Sequence, residues 1–212
     1  MKHNNPIQQA QIQVDKSLYV SSIYCRPQRF ASFSYQILEV LALEPERVLE
    51  VGPGNGVVTY LLRKAGIHVE TLDFDPNLNT DHVASVLDLP LSSDSFDVVL
   101  CCQVLEHLPW EQFTTAMTEL TRVAKKCVVL SLPHHSKSFH ISWKLPKLKS
   151  RIVNFDFESR ERMKFDGEHY WEIGRGFNSS MIIDAIEKTH WKVQRHFRAP
   201  ENKYHHFYIV TP

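Results

Sequence analysis

Three glycines at alternate positions, 52, 54 and 56, constrain the fold of this chain more than any other stretch of its sequence. They follow a short apolar run at residues 48–51, which predicts a buried strand. After them, apolar residues recur at helical spacing over residues 57–62, and Gly66 offers a natural end to that helix. A strand, a glycine-rich turn and a helix in this order predict the start of a βαβ unit. Glycine lets such a turn be tight and lets a ligand approach the main chain closely.

The spacing of the glycines argues against a dinucleotide site. The dinucleotide fingerprint G-x-G-x-x-G would need a third glycine at position 57, where this chain has the β-branched Val57. Glu50 stands two residues before the first glycine, and a carboxylate there would repel a pyrophosphate. The same carboxylate would favour a ligand with a cationic, amino-acid-like end.

Two segments carry a resemblance to a known family. EVGPGNG, at residues 50–56, resembles motif I of the class I S-adenosylmethionine (SAM)-dependent methyltransferases, and SDSFDVVLCCQVLEHLP, at residues 93–109, resembles their fourth strand and the loop after it. The resemblance covers residues 47–211 and is weakest between 134 and 177. It implies an α/β fold: a doubly wound, mostly parallel seven-stranded Rossmann-like sheet with a C-terminal antiparallel hairpin.

The local patterns predict where the elements lie. We expect an N-terminal helical cap or lid within residues 1–45, a SAM-binding domain over 46–212, and a variable substrate-side insert at about 134–177. Strands are predicted at 68–74, 83–89, 96–104, 127–132, 191–198 and 204–211, and helices at 28–43, 110–124 and, behind an Asn178 cap, 179–189.

The resemblance implies a set of donor-binding residues. Gly52, Gly54 and Gly56 would take the methionine end of SAM, with Glu50 facing its ammonium group. Asp73, at the carboxyl end of the second strand, can accept hydrogen bonds from both ribose hydroxyls.

The predicted contacts to the adenine ring follow the family pattern less closely. Asp88 would bond the adenine amino group, although the family pattern places that acid earlier, where this chain has Ser85 and Val86; backbone groups near Leu87 are the alternative. Leu89 and Gln103 complete the predicted donor site.

The acceptor site falls in the least family-like segment. Because ligands of open α/β sheets lie beyond the carboxyl ends of the strands, several histidines are candidate proton acceptors. We single out His169 and His107 as candidate general bases. His134, Tyr170, Trp171 and Glu172 are predicted on the substrate side. Cys102 lacks the preceding proline of the cytosine methyltransferase nucleophile, so we do not expect a cysteine nucleophile.

Composition limits the classes of partner and the cellular compartment that we expect for this chain. Lys plus Arg and Asp plus Glu both number 24, so the chain has no overall bias toward nucleic acid. No apolar run approaches the ~20 residues of a membrane span. The four cysteines form no C-x-x-C pair, which predicts reduced thiols and a cytoplasmic location.

No metal site is expected from sequence spacing alone. Adjacent histidines, as at 134–135 and 205–206, point to opposite faces of a strand. A metal site would need residues from distant parts of the chain to converge in space.

The chain is therefore predicted to transfer a methyl group from SAM to O, N or C of a small-molecule or lipid- or sugar-linked acceptor. The alternatives are a non-catalytic SAM-binding regulator, an RNA methyltransferase and an NAD-linked oxidoreductase. The basic, aromatic segment at 134–151 fits a solvated insert, a dock for an anionic or lipid-linked substrate, or RNA binding. The oligomeric state stays open.

Overall fold

The computed structural model describes residues 15–143, 151–159 and 161–212, with the backbone alone over 138–143 and 151–156. The expectation for the first part of the N-terminal cap lies outside these residues. The helices are α1 Pro27–Leu41, α2 Val57–Lys64, α3 Phe113–Val123 and α4 Ser179–Glu187. The strands are β1 Arg47–Val51, β2 His68–Asp73, β3 His82–Val83, β4 Phe96–Cys102, β5 Ala124–Pro133, β6 Lys137–Trp143, β7 Arg151–Phe157, β8 Lys192–Ala199 and β9 Asn202–Thr211. Within the described residues, no helix is both long enough and apolar enough to cross a membrane.

Seven strands form one sheet in the order β3-β2-β1-β4-β5-β9-β8. β1 to β5 pair in parallel, and β9 runs antiparallel to both β5 and β8. The predicted doubly wound sheet with a C-terminal antiparallel hairpin is confirmed. The strand order reverses between β1 and β4, which is where open α/β sheets bind their ligands.

Helices cover both faces of this sheet because its central strands are apolar on both sides. Along β1 the side chains alternate: Leu49 packs into the core that α3 and α4 cover, and Val48 packs into the core that α1 and α2 cover. β4 is buried along almost its whole length. The two cores hold the carboxyl ends of β1, β2 and β4 at one edge of the molecule.

Two predicted elements differ clearly from the structure. The third strand was expected over 83–89, but β3 ends at Val83, the N–H of Ala84 makes one more bond to the Asp73 carbonyl, and residues 85–89 turn away from the sheet. The N–H of Asp88 donates to the carbonyl of Ser85, and the N–H of Leu89 donates to the Glu119 carboxylate, so neither can pair with β2. The helix expected over 110–124 begins as a 3-10 turn, and α3 ends at Val123 because Ala124 is already extended and starts β5.

The insert contains a hairpin that the sequence analysis did not predict. β6 and β7 pair antiparallel, with Lys137 opposite Phe157 and Trp143 opposite Arg151. Apolar residues alternate along β6 at positions 139, 141 and 143, the period-two pattern of a strand.

Candidate active site

A cavity of about 530 Å³ opens at the carboxyl ends of β1, β2 and β4. Its volume is typical of ligand pockets, which span roughly 300–1,000 Å³. Five segments contribute to its wall: the N-terminal segment before and within α1, the glycine loop, the end of β2, residues 84–87 and the loop after β4. Residues 168–170 and Tyr204 close its far end.

The glycine loop has a geometry that other residues would not tolerate. Gly52 has a φ of 71°, and a Cβ there would lie 2.4 Å from Cγ2 of Val104. Gly54 has a φ of 54°, and a Cβ there would lie 2.4 Å from the hydroxyl oxygen of Tyr24. Both glycines line the cavity, whereas Gly56 is the N-cap of α2 and is not part of the lining. The loop therefore presents bare main chain to a ligand.

Glu50 is buried beneath this loop. It accepts a hydrogen bond from the hydroxyl of Thr59, and burial raises the pKa of its carboxyl to about 7. It lines a small pocket whose wall shares Arg29, Gly52 and Gln103 with the main cavity. Glu50 thus lies next to the glycine-loop end of the cavity rather than on the cavity surface.

Asp73 lies at the end of β2 and lines the cavity, as predicted. Its Oδ1 accepts the N–H of Asp75 at 2.9 Å, and burial raises the pKa of its carboxyl. Asp75 caps the turn Pro76–Leu78 by accepting the N–H of Asn77. One oxygen of Asp73 is therefore used to fix its orientation.

The wall beyond Asp73 comes from residues 84–87. Asp88 is exposed and Leu89 is buried in the core, and neither is part of the cavity lining. The main-chain groups of Leu89 bond to Glu119 and Arg122 instead of facing the cavity. Of the predicted adenine contacts, only the alternative near Leu87 lies on the cavity wall. Gln103 also lines the cavity, with its N–H bonded to the carbonyl of Ser131.

The N-terminal segment supplies residues that were not singled out from the sequence. Leu18, Tyr19, Tyr24 and Arg29 all line the cavity. The two tyrosine rings meet edge to face at 5.2 Å, and the Arg29 guanidinium lies 4.2 Å from the Tyr24 ring centre. Burial and the charge of Asp73 raise the pKa of Tyr19. The enrichment of aromatic residues before residue 43 was the sequence signal for this wall.

His169, at the far end of the cavity, is held in place by Glu172 and Tyr204. Its Nδ1 lies 3.0 Å from Oε1 of Glu172, and the Tyr204 hydroxyl donates to that same oxygen. Burial would lower the pKa of His169, but the hydrogen bond to Glu172 and the nearby acidic charges outweigh it and raise the pKa. Glu172 is therefore a partner behind His169 rather than a cavity residue.

His107 lies beside His169, with ring centres 4.9 Å apart. Its Nδ1 lies 3.0 Å from the carbonyl oxygen of Glu168. Burial and the neighbouring His169 lower the pKa of His107 to about 4. Both predicted general bases thus lie together in the cavity wall, with pKa values that are shifted in opposite directions.

Glu106, which the sequence analysis did not select, lies against the same two histidines. Its side chain is fully buried, and among the residues that the structure describes neither carboxylate oxygen has a hydrogen-bond partner. Burial raises the pKa of its carboxyl to about 7. An acid placed between Leu105 and His107, in an apolar loop at the end of a strand, was the sequence signal that could have identified it.

The remaining substrate-side predictions separate into two groups. Tyr170 lines the cavity and stacks on Phe165 at 4.4 Å. Trp171 lies in the core and donates its indole N–H to the carbonyl of Leu108, so it anchors the loop. His134 is buried against His206 and Glu158 and is not part of the cavity lining.

Comparison with known proteins places this architecture among methyltransferases. Residues 49–132 match the family model described as a methyltransferase domain. A ribosomal RNA small subunit methyltransferase A from Mycobacterium sp. (strain KMS) is 25% identical over 180 residues, which cover 73% of this chain and 59% of that protein. A ubiquinone biosynthesis O-methyltransferase from Hahella chejuensis (strain KCTC 2396) is 28% identical over 102 residues, 41% of this chain and 42% of that protein. The chain thus spans about three-fifths or less of these curated relatives.

A solved structure shares the fold. The 1,6-didemethyltoxoflavin-N1-methyltransferase of Burkholderia thailandensis, with bound 1,6-didemethyltoxoflavin and S-adenosylhomocysteine, aligns with a TM-score of 0.59 and 16% identity. The alignment covers 92% of this chain and 85% of that one. At this identity the likeness shows the fold.

Proposed function

We propose that this chain is a class I SAM-dependent methyltransferase that transfers a methyl group from SAM to a small or medium acceptor, which loses a proton in the reaction. The observation that carries the proposal is that one cavity joins the glycine loop and Asp73 to a cluster of proton-accepting side chains. Donor and acceptor must meet in one space because methyl transfer is an in-line displacement.

SAM would lie with its methionine end on the glycine loop. The bare main chain at Gly52 and Gly54 admits close approach, and Glu50 would attract the ammonium group directly or through water. Asp73 would accept from the ribose hydroxyls, and residues 84–87 would border the adenine. Gly56 would act indirectly by starting α2, and Asp88 and Leu89 are not part of this proposal.

The transfer itself needs little covalent chemistry from the protein, because the sulfonium already activates the methyl group. A lone pair of the acceptor forms the new bond to the methyl carbon. The bond from that carbon to sulfur breaks, its electron pair stays on sulfur, and S-adenosylhomocysteine is released. The acceptor gives up its proton at the end of the cavity where Glu106, His107 and His169 lie.

Residues 15–45 would form a lid over the donor. Tyr19 and Tyr24 line the cavity, and Tyr24 contacts the glycine loop at Gly54. Excluding water around SAM strengthens each polar contact inside the cavity. The domain of residues 46–212, with its insert at 134–177, would then carry the donor site and most of the acceptor site.

A small molecule is the first candidate for the acceptor. The names of two similar proteins refer to small molecules, 1,6-didemethyltoxoflavin and the ubiquinone pathway. An RNA acceptor is the second candidate, because another relative is a ribosomal RNA methyltransferase. RNA binding would weaken steeply with salt, whereas binding of a small neutral acceptor would not. The loop after β4 also lacks the Asp/Asn-Pro-Pro-aromatic motif of the N6-adenine enzymes.

The deciding experiment is a thermal shift with SAM and with S-adenosylhomocysteine, because a ligand of the native state raises the melting temperature. Asp73→Ala should lose the shift, whereas Asp88→Ala, at an exposed acid outside the cavity, should keep it. A folded wild-type chain that responds to neither ligand would overturn the proposal. A wild type that binds SAM but forms no S-adenosylhomocysteine with any acceptor would support a non-catalytic SAM-binding regulator.

All four cysteines are free thiols. We propose a cytoplasmic location, which would suit these thiols because reducing compartments keep cysteines reduced.

A further inference from the structure

Glu106, His107 and His169 form a three-residue cluster in the cavity wall. Each offers a side-chain atom that can bind a metal ion, and these three atoms lie within 4.8 Å of one another. Two of the residues come from the loop after β4, and the third comes from the loop before α4, more than 60 positions later in the chain. This is the spatial convergence that spacing along the sequence could not reveal.

Both imidazoles are held in the tautomer that a metal needs. A carbonyl oxygen can only accept, so the contact between Nδ1 of His107 and the Glu168 carbonyl places a hydrogen on Nδ1. The contact between Nδ1 of His169 and the Glu172 carboxylate does the same for the second ring. In each ring this leaves the lone pair on Nε2. Metal-binding histidines are oriented in this way by an oxygen acceptor on their other nitrogen.

Glu106 supplies the second, independent observation. A fully buried carboxylate whose oxygens lack partners among the described residues is costly, because burial removes its water without replacing the lost hydrogen bonds. A divalent cation bound to this carboxylate would offset its buried charge. Neighbouring ligands of a six-coordinate ion with bonds of about 2.0–2.2 Å lie roughly 2.8–3.1 Å apart, so the cluster has to close by up to about 2 Å.

We propose that Glu106, His107 and His169 bind one first-row divalent metal ion at the acceptor end of the cavity. Two imidazoles and one carboxylate suit ions from Mn²⁺ to Zn²⁺ and leave coordination positions open toward the cavity. The neighbouring Tyr204 and Glu172 hold His169 from behind, and Glu168 lies at the exposed rim, with its Oε1 3.9 Å from Nε2 of His169.

The role of this ion rests on the proposed methyltransferase function. An acceptor hydroxyl bound at an open position would lose its proton to solvent at the rim, and the oxygen would then attack the methyl carbon as described above. The open positions favour an acceptor with two adjacent oxygens, such as neighbouring hydroxyls on a ring. The metal therefore predicts an O-methyltransferase.

Cobalt provides a direct readout because Co²⁺ bound to protein ligands absorbs visible light. Chelator-treated, dialysed protein is titrated with CoCl₂, and ZnCl₂ is then added as a competitor. We expect one saturable Co²⁺ site per chain, with affinity at least tenfold lower in Glu106→Gln and His169→Gln. His82→Gln is the matched control, since His82 pairs with Glu70 at the edge of the sheet and is not part of the cavity lining.

Circular dichroism and the melting temperature establish that each variant is folded. A folded wild type without saturable Co²⁺ absorption, or with absorption that survives in both cluster variants, would overturn the metal site. Catechol, added as a probe for adjacent hydroxyls, should change the Co²⁺ spectrum, and an unchanged spectrum would overturn the acceptor class. The titration contains no SAM, so its failure is distinguishable from a failure of SAM to shift the melting temperature.

Discussion

The hydroxyl of Tyr24 lies over Gly54, at 2.4 Å from the position that a Cβ of residue 54 would occupy. The contact joins the segment before α1 to the loop after β1. Because both residues also line the cavity, the N-terminal segment and the glycine loop have to fit together for the donor end to have its shape.

Gly54→Ala should weaken SAM binding at least tenfold and destabilise the protein by about 1–2 kcal/mol, since alanine is strained at positive φ and its methyl group meets Tyr24. Adding Tyr24→Phe removes the oxygen nearest to that methyl group and should restore part of the affinity. Calorimetric titration with S-adenosylhomocysteine measures both effects. Equal affinity of the single and double variants would show that the Tyr24 contact is irrelevant.

Donor affinity should depend on pH through Glu50, whose pKa in the folded protein is raised by burial to about 7. The ammonium group of the ligand favours the ionised carboxylate, so affinity should rise as pH increases from 6 to 8, by up to about tenfold. Glu50→Gln should lose this dependence. The ligand amino group titrates in the same range, so the quantity to compare is the ratio of wild-type to variant affinity at each pH. A constant ratio would remove Glu50 from the donor site.

His206 should make the fold sensitive to acid. Burial, followed by the neighbouring His134 and His196, lowers its pKa to about 3 from an ordinary value of 6.5. The unfolded chain therefore binds a proton between these values that the folded chain does not bind. The contribution of His206 to the free energy of unfolding is fully present above pH 6.5. Below that pH it falls by roughly 1.4 kcal/mol for each pH unit.

Urea denaturation of wild type and His206→Gln at pH 7.5, 6 and 5 measures this contribution. The variant starts less stable, because it loses the contacts with His134 and His196, each 2.9 Å long. Its stability should fall less steeply with acid than that of the wild type. Parallel pH profiles would show that His206 does not titrate differently in the two states.

Trp171→Phe should lower the stability of the protein without weakening SAM binding. The indole packs against Trp110 and Phe113 and donates to the Leu108 carbonyl at 3.0 Å, so its loss should cost roughly 1–3 kcal/mol of stability. Affinity for SAM should remain within about twofold. Tyr170→Phe, at the adjacent cavity residue, should change stability by less than about 0.5 kcal/mol. A large loss of SAM affinity in Trp171→Phe would place this residue in the donor site after all.

The sequence by itself predicted the architecture and the residues at the glycine-loop end of the cavity. The glycine loop, the apolar strands and Asp73 are features of short segments, and the local backbone decides where they point. A residue at the end of a parallel strand lies at the ligand edge of the sheet whatever the rest of the chain does. For that reason the positions of Gly52, Gly54 and Asp73 at this edge were predictable, whereas the doubly wound sheet was predicted from the family resemblance of two segments.

The tertiary structure decided the acceptor end. Of the consecutive residues 169–172, His169 and Tyr170 line the cavity while Trp171 and Glu172 do not, because packing on an irregular loop, rather than a fixed period, sets the direction of each side chain. Asp88 was misplaced because β3 ends early and the chain turns before reaching it. The meeting of Glu106 and His107 with His169 requires two distant loops to fold onto each other, and spacing along the chain does not encode a distance between such loops.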